Sequence, residues 1–195
     1  MYTLIGDKRS RAMRVLWLLH ELDVDFEVHA EPPHSEKVLA QSPSGKIPVL
    51  LVDDVVLTDS VAIMTFLADK HSQFTYPAGS IKRAVQDGFT QTILDELDAI
   101  LWTASRHKFV LPKEHRVPEV RESLVWEFTR NTNRLGVRLG DGPYLMGDKM
   151  TVPDILLSHC IGWAKGNDFV IESPEVLAHH TMMKERPAFR AALAG

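Results

Sequence analysis

The chain has 195 residues, 45% of them hydrophobic and 25% charged, and a formal net charge of -4. That size and balance suit one large or two small soluble globular domains and argue against a long basic face for nucleic acid. The single cysteine, Cys160, excludes an intrachain disulfide and a cysteine zinc cluster. No apolar run approaches the ~20 residues of a membrane helix. The expectation is a cytoplasmic protein with no metal, no nucleic acid and no membrane among its partners.

Tyr2 to Ile5 is predicted as a short strand. Ser10 offers an N-cap, and Ala12, Val15, Leu16, Leu19 and Leu22 follow at helical spacing. Asp23-Val24-Asp25 breaks that helix, and Phe26 to His29 is predicted as a second strand. A strand, a helix and a strand in so short a span indicate a right-handed βαβ unit with parallel strands. Ser35 precedes a short helix ending near Leu39 or Ala40, followed by the loop Gln41-Ser42-Pro43-Ser44-Gly45. Ile47 to Val52 and Val55 to Leu57 flank Asp53-Asp54 in the pattern of a β-hairpin. Thr58 or Asp59 then caps a helix carrying Ile63, Phe66 and Leu67 on one face.

From Ser72 to Ser80 the chain is polar, with Pro77 and Gly79 and no periodicity; beyond it only helical periods occur. A stripe from Ile81 through Ala84, Val85, Gly88, Ile93, Leu97, Ile100 and Leu101 to Ala104 predicts a long helical segment, ended by Pro112. Val120, Leu124, Phe128, Leu135 and Leu139 mark a second, stopped by Gly140-Asp141-Gly142-Pro143. A third starts after Thr151, and shorter ones follow Pro174 and Pro187. The predicted organisation is a β-α-β-α-β-β-α domain over 1–72, a linker over 73–80 and an all-helical domain over 81–195.

Four signals could carry chemistry. Ile47-Pro48 opens a strand after Gly45-Lys46. Its proline is either a plain trans residue at a strand start or a cis one that turns the preceding backbone groups towards a peptide laid alongside. Asp59-Ser60 stands where a helix begins. Ser60 can offer hydroxyl and amide to a carboxylate and Asp59 can face an ammonium, or the pair is an ordinary N-cap. Ser10 can stabilise a thiolate at the start of the first helix or merely cap it. Thr151-Val152-Pro153-Asp154 is a capping box with Met150 and Ile155 at staple spacing, a structural device. The histidines, including the adjacent pair His179-His180, lack metal-site spacing. Cys160, on an apolar face, is expected to be a buried inert thiol, and Asp95-Glu96-Asp98 a solvated charge run.

The segments Gly45-Lys46-Ile47-Pro48-Val49-Leu50, Leu57-Thr58-Asp59-Ser60-Val61-Ala62-Ile63 and Met150-Thr151-Val152-Pro153-Asp154 occur in this order across the whole chain. Together they resemble the cytosolic glutathione transferase superfamily, of bacterial type and nearest in spacing to its theta- and delta-like serine classes. The resemblance implies an α/β thioredoxin-like N-terminal domain followed by an all-α domain. It implies glutathione as co-substrate, conjugation of its thiolate to a small hydrophobic electrophile, a role in detoxification, and a homodimer. Carried over residue by residue, it makes Pro48 the cis-proline and gives the Ile47 main chain to the cysteinyl part of glutathione. It assigns Asp59 and Ser60 to the γ-glutamyl group, and Lys46, helped by His34 or Lys37, to the glycyl carboxylate. Ser10, four residues before Arg14, takes the place of the activating serine. The proline usual in that loop is absent, which leaves Arg9, Arg11 and the helix amides as alternatives. A glutathione-dependent isomerase, peroxidase or dehalogenase, or a non-catalytic binding or regulatory relative, shares the same motifs.

Overall fold

The computed structural model describes residues 1–194, and the predicted order of elements is present. β1 (Tyr2–Ile5), α1 (Ala12–Leu22), β2 (Phe26–His29), α2 (Glu36–Gln41), β3 (Val49–Val52), β4 (Val55–Thr58) and α3 (Ser60–His71) make the α/β part. The sheet order is β2-β1-β3-β4, with β1 and β2 parallel and the other pairs antiparallel. That is the mixed sheet of a thioredoxin-like fold. The crossover through α1 sets the parallel pair, and the two-residue turn at Asp53-Asp54 sets the hairpin. Leu4, Val15, Leu18, Leu19, Leu50, Ile63, Met64 and Leu67 are all fully buried. They come from the sheet face and from the facing stripes of α1 and α3.

The helical part follows as α4 (Ile81–Ile93), α5 (Ala99–Ser105), α6 (Val120–Leu139), α7 (Val152–Lys165), α8 (Pro174–Lys184) and α9 (Pro187–Ala194). The stripe predicted from Ile81 to Ala104 does not run as one face. π-Helical turns at Leu94–Asp98 and Arg106–Val110 interrupt the segment, each of which shifts the helix phase. In α4 the buried side chains are Arg83, Gln86, Phe89, Thr90 and Ile93, whereas Ile81, Ala84, Val85 and Gly88 are exposed. Asp98 is buried rather than solvated, while Asp95 stays exposed. Phe128, Ile155, Leu156, Leu157, Cys160, Ile161 and Val176 form the centre of this part, with Cys160 enclosed as expected.

The capping box of α7 forms, with the Thr151 N–H donating to Asp154 Oδ2 at 2.7 Å. Asp154 is fully enclosed and its carboxylate also accepts from the Leu145 N–H at 2.8 Å, the Thr151 hydroxyl at 3.1 Å and His179 Nε2 at 3.1 Å. His180 Nδ1 meets the Ser158 hydroxyl at 2.9 Å. The adjacent histidines therefore serve separate buried polar contacts.

The chain divides into two compact units: Met1–Ala78 together with the segment from Lys184 onward, and Gly79–Met183. The return of α9 to the first unit has a local cause. Trp17 of α1 stacks edge-on against Phe189 at 4.8 Å between ring centres and donates from Nε1 to Glu21 Oε1 at 2.9 Å. The same carboxylate takes Arg186 through two bonds, Nε to Oε1 at 2.5 Å and Nη2 to Oε2 at 2.7 Å. Lys8 Nζ donates to the Leu193 carbonyl at 2.6 Å, at the C-terminal end of α9 where a cation is favoured.

Candidate functional site

The start of α3 is built by Asp59 and Ser60. Asp59 has φ 70° and ψ 125°, a region that side chains other than glycine rarely adopt and that costs about 1–3 kcal/mol. In this conformation one carboxylate oxygen, Oδ1, accepts from the N–H groups of Val61 at 2.8 Å and Ala62 at 3.0 Å. The Ser60 N–H has no partner among the described residues. Ser60 is buried, and its hydroxyl accepts from Arg14 Nη1 of α1 at 3.4 Å. Arg14 itself is 1% exposed, so a guanidinium lies enclosed behind the serine. From the sequence, Arg14 is placed near Ser10, as a source of positive potential for an anionic ligand or as a solvated residue, with no link to Ser60. The signal for its burial was present: Arg14 precedes Trp17 and Leu18 by three and four residues, which puts a charge on the buried face of an amphipathic helix.

The Ile47-Pro48 bond is cis. Ile47 is half-buried and packs on the cluster of Ile5, Val38 and Val49. No described residue bonds its main chain, because β3 begins two residues later. Gly6 makes room on its far side: a Cβ there would lie 3.2 Å from the Ile47 Cβ and 2.8 Å from the Ala12 Cβ. The turn into β3 and the start of α1 thus converge on one glycine.

His34 lies against Gly45, the neighbour of Lys46, in the loop before that turn. The His34 N–H donates to the Gly45 carbonyl at 2.8 Å, and the imidazole lies so close that a side chain at Gly45 would collide with it. Lys46 is exposed. Lys37, the alternative cation, pairs with Glu31 at 2.9 Å, and that lysine holds the Glu31 carboxyl below its ordinary range.

Ser10 sits one residue outside its predicted place as N-cap. The helix begins at Ala12 with Arg11 as its cap residue. The Ser10 hydroxyl donates to the Asp7 carbonyl at 2.6 Å and accepts from the Ala12 N–H at 3.1 Å. Met13 N–H and Arg14 N–H bond the carbonyls of Ser10 and Arg11 at 3.2 and 3.1 Å, so the chain enters α1 through tight turns. Arg9 is clamped by Asp7, with Nε on Oδ1 at 3.1 Å and Nη2 on Oδ2 at 2.9 Å. That clamp lowers the Asp7 pKa and raises that of Arg9.

The structure therefore groups three sets: Asp59 and Ser60 with Arg14, His34 with Gly45-Lys46, and Ile47 with Gly6 and the start of α1. It shows no direct bond between Ser10 and any of the other candidates. Among the described residues there is no group of three or more side chains able to hold a metal ion, and no helix long and apolar enough to cross a membrane.

Comparison with known proteins shows the family of the chain. Residues 10–70 match the family described as glutathione S-transferase, N-terminal domain, and residues 105–194 match glutathione S-transferase, C-terminal domain. The chain is 30% identical over 165 residues to glutathione S-transferase GstA of Escherichia coli O157:H7, covering 83% of this chain and 79% of that protein. It is 29% identical over 192 residues to a glutathione S-transferase of Triticum aestivum, covering 94% and 88%. The crystal structure of a glutathione transferase from Methylococcus capsulatus superposes with a TM-score of 0.83 at 25% identity, covering 100% of this chain and 98% of that one. With two matched domains in order and a relative aligned over most of its length, the chain belongs to the glutathione S-transferase family.

Proposed function

We propose that this enzyme joins the thiolate of its co-substrate glutathione to a small hydrophobic electrophile, with the first unit as the glutathione cradle. The observation that carries the reading is the start of α3. Ser60 offers an unpartnered N–H and a hydroxyl backed by a buried guanidinium, beside the exposed carboxylate of Asp59. An amino-acid head group bears one negative and one positive charge on neighbouring groups, and the γ-glutamyl end of glutathione is such a group. The Ile47 main chain pairs with the cysteinyl part, and Lys46 with His34 takes the glycyl carboxylate. The sulfur then lies towards the positive end of α1, where Ser10 or the helix dipole stabilises the thiolate. The thiol proton leaves to solvent, the sulfur lone pair forms the new carbon–sulfur bond, and the bond to the electrophile's leaving group breaks, which for an aryl halide releases halide to solvent. Lowering a thiol pKa by about two units takes about 2.7 kcal/mol, within reach of a few aimed dipoles.

Calorimetric titration with glutathione, followed by a panel of aryl halide, peroxide and isomerisable substrates, tests this reading. Saturable binding and thioether formation with the aryl halide are expected. No binding at millimolar glutathione would overturn it.

The same reading includes a homodimer. Ile81, Ala84, Val85 and Gly88 repeat at i, i+3, i+4 and i+7 along α4, with Ile81 85% and Val85 49% exposed. An apolar stripe left on a helix surface suits a self-complementary two-fold contact. Ile81→Glu with Val85→Glu is expected to sediment as a monomer at micromolar concentration where the unaltered protein sediments as a dimer. A monomeric unaltered protein would sink the proposal.

A further inference from the structure

The second unit holds a pocket of about 260 Å³, lined by Leu139, Gly140, Gly142 and Pro143 on one side and Glu175, Ala178, His179 and Met182 on the other. The first group is the end of α6 and the turn after it. The second is one face of α8 at i, i+3, i+4 and i+7. The turn wall is held by reciprocal main-chain bonds between Tyr144 and Gly147, both 3.0 Å, and Gly142 abuts Gly147 so closely that a Cβ would sit 3.0 Å from its Cα. Ligand cavities commonly run from ~300 to ~1,000 Å³, so this one takes a fragment-sized molecule. Most of the lining is apolar.

Its polar features are negative. Glu175 is exposed and has no cationic partner among the described residues. Its Oε2 accepts from the Ser173 hydroxyl at 2.6 Å, and this bond with its own N–H holds the carboxyl below the ordinary range, hence ionised at neutral pH. Oε2 also lies close over α6, where a Cβ on Gly136 would come within 3.0 Å of it. α6 is 20 residues long and ends here at Gly140, whose N–H caps no carbonyl of the last turn. That leaves the negative end of the helix dipole at the pocket. Arg138, the cation of that last turn, is drawn away to Thr92 Oγ1 at 3.1 Å and stacks 4.3 Å over Phe89. The pocket also abuts the N-terminus of α8, which would favour an anion. Two of its amides are already engaged: Val176 N–H by Ser173 Oγ at 3.3 Å and Leu177 N–H by the Ser173 carbonyl at 3.1 Å.

From this geometry we infer that the pocket between α6 and α8 is a second binding site, separate from the glutathione cradle, for a small organic ammonium with an apolar body. The ammonium lies between the Glu175 carboxylate and the carbonyl end of α6, and the apolar body lies against Leu139, Pro143, Ala178 and Met182. The inference does not depend on the assignment of the glutathione residues.

The test uses the full chain saturated with glutathione, titrated by calorimetry with phenethylamine and with its uncharged counterpart 2-phenylethanol. Phenethylamine is expected to bind at least about tenfold more tightly, the worth of a charge-assisted hydrogen bond. Glu175→Gln keeps the shape and the acceptor for Ser173, and should bring the two affinities together. Ala178→Leu fills the cavity with the carboxylate intact and should abolish both. Equal affinities in the unaltered protein, displacement of the amine by glutathione, or an unchanged amine affinity in Glu175→Gln would each overturn the proposal. The amine-to-alcohol ratio is read on the unaltered protein, so it decides even if a variant fails to fold.

Discussion

Asp154→Ala is expected to lower the stability of the fold by about 3–5 kcal/mol. The carboxylate is fully buried and accepts from four donors: two main-chain N–H groups, one hydroxyl and one imidazole nitrogen. Removing it strands those donors without water. It also leaves an already under-bonded ring, since His179 Nδ1 has no partner. Asp154→Asn should rescue little. The Leu145 N–H binds Oδ1 and the Thr151 N–H binds Oδ2, so either orientation of the amide turns its NH2 against an obligate donor. For a chain of this size the loss amounts to a fall in melting temperature of roughly 6–20 °C. Thermal unfolding of both variants checks it; a shift of a degree or two for the asparagine variant would mean that the polar cluster contributes little. Asp154 lies outside the proposed cradle, so glutathione affinity of the folded fraction should stay unchanged.

Ser60→Ala is expected to weaken glutathione binding by about tenfold to a hundredfold, the worth of a hydrogen bond to a charged carboxylate. The Ser60 N–H remains in the variant, so the loss reports the hydroxyl and its support from Arg14. Ser10→Ala should act differently. If the hydroxyl turns from the Asp7 carbonyl to the sulfur, its loss raises the pKa of bound thiol and lowers turnover, while affinity changes little. The ultraviolet absorbance of the thiolate, followed against pH in both variants, separates the two roles. An unchanged thiol pKa and turnover in Ser10→Ala would reduce Ser10 to the cap of the Ala12 N–H and move activation to the helix itself.

The order of elements was legible because each short strand and helix carries its own period and its own stop signal. Asp23-Val24-Asp25 ends α1, and Asp53-Asp54 turns β3 into β4. What the period could not supply was the neighbour. The face of α4 that reads as apolar, from Ile81 to Gly88, is exposed, because Arg83, Gln86, Phe89 and Thr90 face the core instead. A helical wheel ranks side chains by polarity and knows nothing of ion pairs such as Arg83 with Asp87 at 2.9 Å that let a charge lie inward. The π-turns leave no compositional mark. Among the candidate site residues, Asp59 and Ser60 could be placed from cap chemistry alone. The burial of Arg14 is legible in the period of α1, but its place behind Ser60 depends on the packing of α1 against α3, which no local pattern encodes. The pairing of Asp154 with His179 joins residues 25 apart on two helices and was equally hidden.

The return of α9 to α1 bears on the protein's birth on the ribosome. The first unit is not finished when its own strands have emerged. Trp17 and the Glu21 carboxylate lack Phe189 and Arg186 until more than a hundred intervening residues have been synthesised. Throughout that interval a large indole and a carboxylate without its cation stand open to chaperones or to another nascent chain. Lys8, two residues before Ser10, gains its anchor at the Leu193 carbonyl only at the same late moment. The tight loop that leads into α1 is therefore completed among the last steps of making the molecule.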